Sequence, residues 1–141
     1  MKDNFTKLYI AAFVWLFSAT ITYAQSLNVV AFGDSLMAGY QLPQEEAYPN
    51  RLAEKLNQLG YEITMTNASV SGDTTSGGLS RLDWSVPDGT DAVILGLGAN
   101  DALRGIPLDK TLENLDAMVA RLLERKIDVC LLYTSPSPRD S

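Results

Sequence analysis

Three short runs hold the side chains that could do chemistry. Gly33-Asp34-Ser35-Leu36, Asn67-Ala68-Ser69-Val70-Ser71-Gly72-Asp73 and Gly98-Ala99-Asn100-Asp101 each mix small residues with polar ones. Ser35 stands just past a tight glycine, a place where a nucleophile is exposed, rigidly held and close to the N–H groups of a helix start. Gly72 can bring a backbone N–H up to a ligand with no Cβ in the way. Asn100 offers a neutral amide donor. The Ser35 N–H, the Gly72 N–H and the Asn100 side chain together suit the oxyanion of an acyl-transfer intermediate, where loss of one donor commonly lowers the rate ~100- to 1000-fold. Any one run alone reads equally well as a turn, because Gly, Asn, Asp and Ser are the commonest turn residues.

The surrounding pattern says what must position these runs. Residues 27–32 are β-prone and mostly apolar, and predict a buried strand ending at Gly33. Pro49 opens a helical pattern with Leu52, Ala53, Leu56 and Leu59 on one stripe, stopped by Gly60. Glu45 and Glu46 precede it, where negative charge favours the helix start. Residues 61–66 alternate polar and apolar and predict a second strand; residues 67–78 read as a loop, with a weak helix from Thr75 to about Trp84. Residues 91–97 predict a third strand, buried on both faces. A loop containing Gly98, Asn100 and Gly105 follows. Leu108, Leu112, Leu115, Val119 and Leu122 then give an amphipathic helix widened by Met118 and Leu123, and residues 127–129 begin a fourth strand. Alternating strands and helices predict a flavodoxin-like, three-layer α/β/α domain with a parallel sheet. Such sheets bind ligands outside the carboxyl ends of their strands, where all three runs fall.

Composition narrows the function classes. Of 141 residues, 46% are hydrophobic and 20% charged, which describes one globular domain rather than a disordered chain. The net charge of -6 repels phosphate backbones and argues against a nucleic-acid partner. A single Cys permits no intrachain disulfide, and the absence of His excludes His-ligated metal sites and His-dependent catalysis by these residues alone. Gly96-Leu97-Gly98 lacks the third glycine of a dinucleotide-binding loop, and no Walker-type Lys follows any glycine-rich run.

The two ends read differently from the middle. Lys2 and Lys7, the apolar run from Leu8 to Phe17 and the Thr22-Tyr23-Ala24 end describe a signal peptide over 1–24, with an uncleaved anchor helix as the competing possibility. Cleavage would leave no stable membrane span and an exported protein, periplasmic or secreted. Cys130 to Asp140 resembles the translation of a common transposase-type sequencing adapter, so 130–141 is expected to be a non-native tail; the competing possibility is a genuine strand end through Leu131 to Tyr133. The domain proper is then 25–129, expected to stop short of its natural C-terminus.

The ordered blocks carry a family resemblance. Gly-Asp-Ser-Leu at 33–36, Asn-Ala-Ser-Val-Ser-Gly-Asp-Thr-Thr around Gly72, and Gly-Ala-Asn-Asp at 98–101 resemble the SGNH hydrolases of the GDSL type, in the arylesterase, thioesterase I and lysophospholipase L1 subgroup. Ala38-Gly39-Tyr40, Arg81-Leu82 and Ala102-Leu103-Arg104-Gly105 match as well. The resemblance implies the SGNH hydrolase fold, a nucleophile at Ser35, an oxyanion hole from Ser35, Gly72 and Asn100, no cofactor and no metal, and a small acyl ester or thioester as substrate. The family's general base is a His preceded three residues earlier by an Asp, and no such block occurs in this chain. The resemblance therefore also implies a domain incomplete at its C-terminus, with missing sheet and helix elements, and a chain nearly inactive as it stands.

Other possibilities remain at this level. Asp34, Asp73 and Asp101 each follow a strand end and could converge on Mg²⁺ for phosphoryl transfer, or simply cap helices and brace loops. A non-catalytic exported module binding carbohydrate or lipid would use the same fold. Trp84 and Tyr40 could line an acyl pocket or serve as packing, and Arg104 could brace a loop through Asp101 or Asp73. Cys130 lies in the expected tail and carries no redox meaning. Oligomeric state, acyl chain length and leaving group are not written in these residues.

Overall fold

The computed structural model describes residues 26–132. The leader expected at 1–24 and residues 133–141 of the expected tail lie outside these.

Four parallel strands form one sheet in the order β2-β1-β3-β4: β1 is Leu27–Gly33, β2 Ile63–Asn67, β3 Ala92–Gly96 and β4 Asp128–Leu131. The run of Val29, Val30, Ala31 and Phe32 suits the central position of β1, which is covered on both faces. β2 alternates between half-buried and exposed residues, as an edge strand does. Six helical segments connect the strands. α1 is Ser35–Ala38, α2 Tyr48–Gln58, α3 Thr75–Ser85, α4 Ala99–Leu103 and α5 Leu108–Glu124, with a 3-10 turn at Gln44–Glu46 before α2.

The helices divide between the two faces. On one, Leu82 and Val86 at the end of α3 and Met118 and Leu122 of α5 pack on Val30, Phe32, Val93 and Leu95. On the other, Met37 of α1 and Leu52 of α2 pack on Val29, Ala31 and Ile94. This is the expected three-layer α/β/α architecture. The chain leaves β1 toward β2 over one face and leaves β3 toward β4 over the other, so the direction of winding reverses between β1 and β3. The crevice at such a reversal is where open α/β sheets bind ligands.

Register sets the height of the loops around that crevice. Gly33 pairs with Gly96, so β1 and β3 end level, while Asn67, the last residue of β2, pairs with Ala31. The chain after β2 therefore keeps following β1: Ala68 N–H donates to the Ala31 carbonyl at 2.9 Å and Val70 N–H to the Gly33 carbonyl at 2.9 Å.

Several expectations shift. The run at 99–103 is a short helix, not plain loop, and the helix start expected at Ser35 is only four residues long. β4 extends past Val129 through Cys130 and Leu131, which pair with Ile94 and Leu95. Leu59 is exposed at the end of α2 rather than on its buried stripe. The buried face of α5 is Thr111, Asn114, Met118 and Leu122, while Leu108, Leu112 and Leu123 face water. The apolar pattern misses this because the first half of α5 packs on a buried carboxylate, Asp101, which demands hydrogen-bond donors rather than methyl groups.

Two adjacent leucines test the orientation of α5. Leu122 is 0% exposed and Leu123 is 56% exposed. Leu122→Ala is expected to lower the unfolding free energy by about 2–5 kcal/mol, and Leu123→Ala by less than about 0.5 kcal/mol, in urea titrations followed by circular dichroism.

Candidate active site

The first run turns sharply because its glycine admits the opposite strand. A Cβ on Gly33 would stand 2.6 Å from the Gly96 carbonyl oxygen, so only glycine lets the two strand ends approach this closely. Asp34 follows in an extended conformation and caps α1, its Oδ1 accepting from the Leu36 N–H at 3.0 Å. Ser35 is the first residue of α1 and is half-buried. Its own N–H, at the first helical position, has no acceptor within the helix.

The second run is a loop tied down at nearly every residue. Asn67 Nδ2 donates to the Met37 carbonyl at 3.0 Å, and its Oδ1 accepts from the Ser69 N–H at 3.1 Å. The Asp73 N–H closes a turn on the Val70 carbonyl at 3.1 Å. Gly72, inside this turn, adopts φ +81°, a left-handed conformation that strains any side-chain-bearing residue. Arg104 Nη2 holds the Gly72 carbonyl at 2.7 Å. Arg81 of α3 lies beneath, pairing with Asp73 at 2.7 Å.

The third run places Asn100 in the first turn of α4. Asn100 Nδ2 donates to Asp34 Oδ2 at 3.2 Å. The next residue, Asp101, is 1% exposed and anchors the segment. It accepts from the Thr75 N–H at 2.8 Å, from the Thr75 hydroxyl, and from the Thr111 hydroxyl at 3.3 Å. Asn114 in turn donates to Thr75 Oγ1 at 3.0 Å and to Ser76 Oγ at 2.9 Å. α3, α4 and α5 thus meet at one buried carboxylate.

All three runs therefore meet at the crevice between β1 and β3. Asp34 joins the first to the third, the Gly33 carbonyl joins the first to the second, and Arg104 joins the second to the third. A cavity of about 230 Å³ opens there, lined by Asp34, Leu36, Met37, Leu97 and Ala99 among others. Its walls are largely apolar, Asp34 is the one charged residue among the described residues that form them, and Ser35, Gly72 and Asn100 do not line it.

Residues 31–141 match the GDSL-like Lipase/Acylhydrolase family. The chain belongs to this family. It is 36% identical over 126 residues to an arylesterase of Vibrio mimicus, covering 89% of this chain and 63% of that protein. It is 33% identical over 115 residues to thioesterase 1/protease 1/lysophospholipase L1 of Escherichia coli K12, covering 79% of this chain and 54% of that protein. Among solved structures, the SGNH-hydrolase family esterase AlinE4 superposes with a TM-score of 0.75 at 39% identity, covering 82% of this chain and 62% of that one. The chain thus spans between about half and two thirds of the length of these relatives.

Within this GDSL-family domain, the aspartate arrangement departs from a metal site. Asp34 is engaged by Leu36 and Asn100, Asp73 by Arg81, and Asp101 by Thr75 and Thr111. Among the described residues no group of three or more His, Cys, Asp or Glu side chains is placed to hold a metal ion. Arg104 does brace a loop, but through the Gly72 carbonyl rather than through Asp101 or Asp73. Trp84 and Tyr40 are both well exposed, and neither lines the cavity.

Thr75, Thr111 and Asn114 escaped the sequence reading. Their available signal was spacing: Thr111 and Asn114 stand three residues apart, in line with Met118 and Leu122, so two polar residues head the buried stripe of a helix. Arg81 was visible only through the resemblance.

Asp101→Asn retains one carbonyl oxygen and turns an N–H2 toward a donor. The substitution is expected to destabilise the fold by about 1–3 kcal/mol in urea unfolding, without changing the far-ultraviolet circular dichroism of the folded state.

Proposed function

We propose that this domain is the nucleophile-bearing part of a serine hydrolase that cleaves carboxylic esters or thioesters. Ser35 Oγ attacks the acyl carbonyl. The Ser35 N–H, the Gly72 N–H and the Asn100 amide stabilise the oxyanion, the leaving group departs, and water hydrolyses the acyl-enzyme. What carries the proposal is the 3.2 Å hydrogen bond from Asn100 Nδ2 to Asp34 Oδ2, because it holds a neutral side-chain donor beside the turn that bears Ser35. No metal or cofactor enters these steps.

The proton of Ser35 needs an acceptor. These 141 residues contain no His, and the carboxylates nearest the turn are already committed to Leu36, Asn100, Arg81 and Thr75. Ser35 then stays protonated and weakly nucleophilic, so the chain alone is expected to turn over esters slowly. General base assistance is worth about 100- to 10,000-fold, and added imidazole supplies such a base from solution.

The test is hydrolysis of p-nitrophenyl butyrate by the purified chain with and without imidazole. Imidazole is expected to raise the protein-dependent rate at least ~10-fold. Ser35→Ala should abolish that increment, and Asn100→Ala should reduce it about 100- to 1000-fold. An imidazole-dependent rate that survives in Ser35→Ala would overturn the assignment.

We also infer export. Lys2, Lys7 and the apolar run from Leu8 to Phe17 support a cleaved leader, and among the described residues no helix is long and apolar enough to cross a membrane. Expression in a bacterial host should yield a mature N-terminus at Gln25 in the periplasmic or culture fraction, read by N-terminal sequencing.

A further inference from the structure

Arg81 is the buried cation of this site. It lies on α3 and is only 7% exposed. Its Nε donates to Asp73 Oδ2 at 2.7 Å, its Nη1 to the Ala68 carbonyl at 2.6 Å and to Ser85 Oγ at 3.3 Å, and its Nη2 to the Gly33 carbonyl at 3.2 Å. The guanidinium also stacks over Phe32, 3.9 Å from the ring centroid. One planar group therefore holds the last residue of β1, the chain leaving β2 and the residue after Gly72.

We propose that Arg81 is a positioning residue that locks the turn bearing Ser35 and the loop bearing Gly72 into one rigid frame, fixing the spacing of their two N–H groups. Its catalytic meaning rests on the acyl-transfer function proposed above; its mechanical meaning does not. Gly33 is one peptide unit from the Ser35 N–H, and Asp73 directly follows Gly72. The two loops share only one direct backbone bond at this point, Val70 N–H to the Gly33 carbonyl, and Gly72 lies beyond it. The guanidinium closes the gap. Stability alone is a poor explanation for such a group, because a buried ion pair commonly adds little over well-packed apolar side chains. Geometry is a better one: a guanidinium presents five N–H donors in a fixed plane, and no other side chain reaches three separated acceptors with one rigid fork.

Lysine keeps the charge and loses the fork, which makes Arg81→Lys the informative variant. In imidazole-supported ester hydrolysis it is expected to lower kcat about 10- to 100-fold with KM unchanged within about twofold, since small misplacement of reacting groups slows chemistry more than binding. Independently of activity, amide NMR of Arg81→Lys should shift the Ser35 and Gly72 resonances and speed their hydrogen exchange at least ~10-fold, while the central-strand amides of Val93 and Leu95 keep their positions. Leu122→Val, a core change remote from these loops, is the control: it should lower stability without moving the Ser35 and Gly72 amides or separating kcat from KM. If Arg81→Lys fails to fold, Asp73→Ala releases one prong only and should speed hydrogen exchange of the Gly72 amide while sparing that of Ser35. Unchanged Ser35 and Gly72 amides in Arg81→Lys, or unchanged Gly72 exchange in Asp73→Ala, would overturn the positioning role. Turnover that persists in Ser35→Ala would instead overturn the acyl-transfer function and leave the amide result to decide Arg81.

Discussion

At the carboxyl ends of β1 and β3, Gly33 and Gly96 stand opposite each other in register, so close that a Cβ on Gly33 would meet the Gly96 carbonyl oxygen at 2.6 Å. The rest of the site hangs on this approach. It lets Asp34 N–H reach the Gly96 carbonyl at 3.3 Å and start α1 at once, so Ser35 emerges at the mouth of the crevice rather than one residue further along the strand. It also leaves β3 ending at the same height, so that α4 can begin beside α1 and Asn100 can reach Asp34. A sheet that winds in opposite senses on either side of these two strands leaves this crevice open to solvent.

Around the glycine contact the domain relies on polar groups in unusually dry places. Arg81 and Asp101 are the two most heavily committed ionic side chains, and they divide the work. Asp101 fastens α4 to the start of α3 and, through Thr111, to α5. Arg81 fastens the far side of α3 to the loops after β1 and β2. Helix α3 is therefore the common brace: Thr75 at its N-terminus takes the carboxylate and Arg81 in its middle supplies the guanidinium. Burying such groups is costly unless they are hydrogen-bonded, and here Arg81 makes four hydrogen bonds and Asp101 three.

The same economy keeps the three aspartates of the crevice apart. Three aspartates follow three neighbouring strand ends, which in isolation suggests a cation site. Their partners pull them apart: a helix cap and an amide for Asp34, a guanidinium for Asp73, hydroxyls and a backbone N–H for Asp101. Each carboxylate is an organiser of loops. The cavity beside them is lined mostly by apolar side chains, Leu36, Met37, Leu97 and Leu132, with Asp34 among them, an environment suited to an uncharged group.

Much of this was legible in the amino-acid sequence. Apolar runs such as Val29 to Phe32 and Val93 to Leu95, bounded by glycines, specify strands buried on both faces, because few other places in a domain accept them. Their alternation with helical stripes specifies a parallel three-layer fold, and the strand-end rule then brings Ser35, Gly72 and Asn100 to one edge. Only tertiary structure decided how those residues are held. Local periodicity places Leu108 and Leu112 on the buried face of α5, yet Thr111 and Asn114 occupy it, since the Asp101 carboxylate takes the Thr111 hydroxyl and the Thr75 and Ser76 oxygens of α3 take the Asn114 amide. Arg81 shows in the sequence only through the family resemblance: two of its acceptors are the carbonyls of Gly33 and Ala68, and backbone groups carry no side-chain signature. Pattern reports which face each segment prefers; hydrogen bonds between distant segments, satisfied only when the whole sheet is assembled, decide which preference prevails.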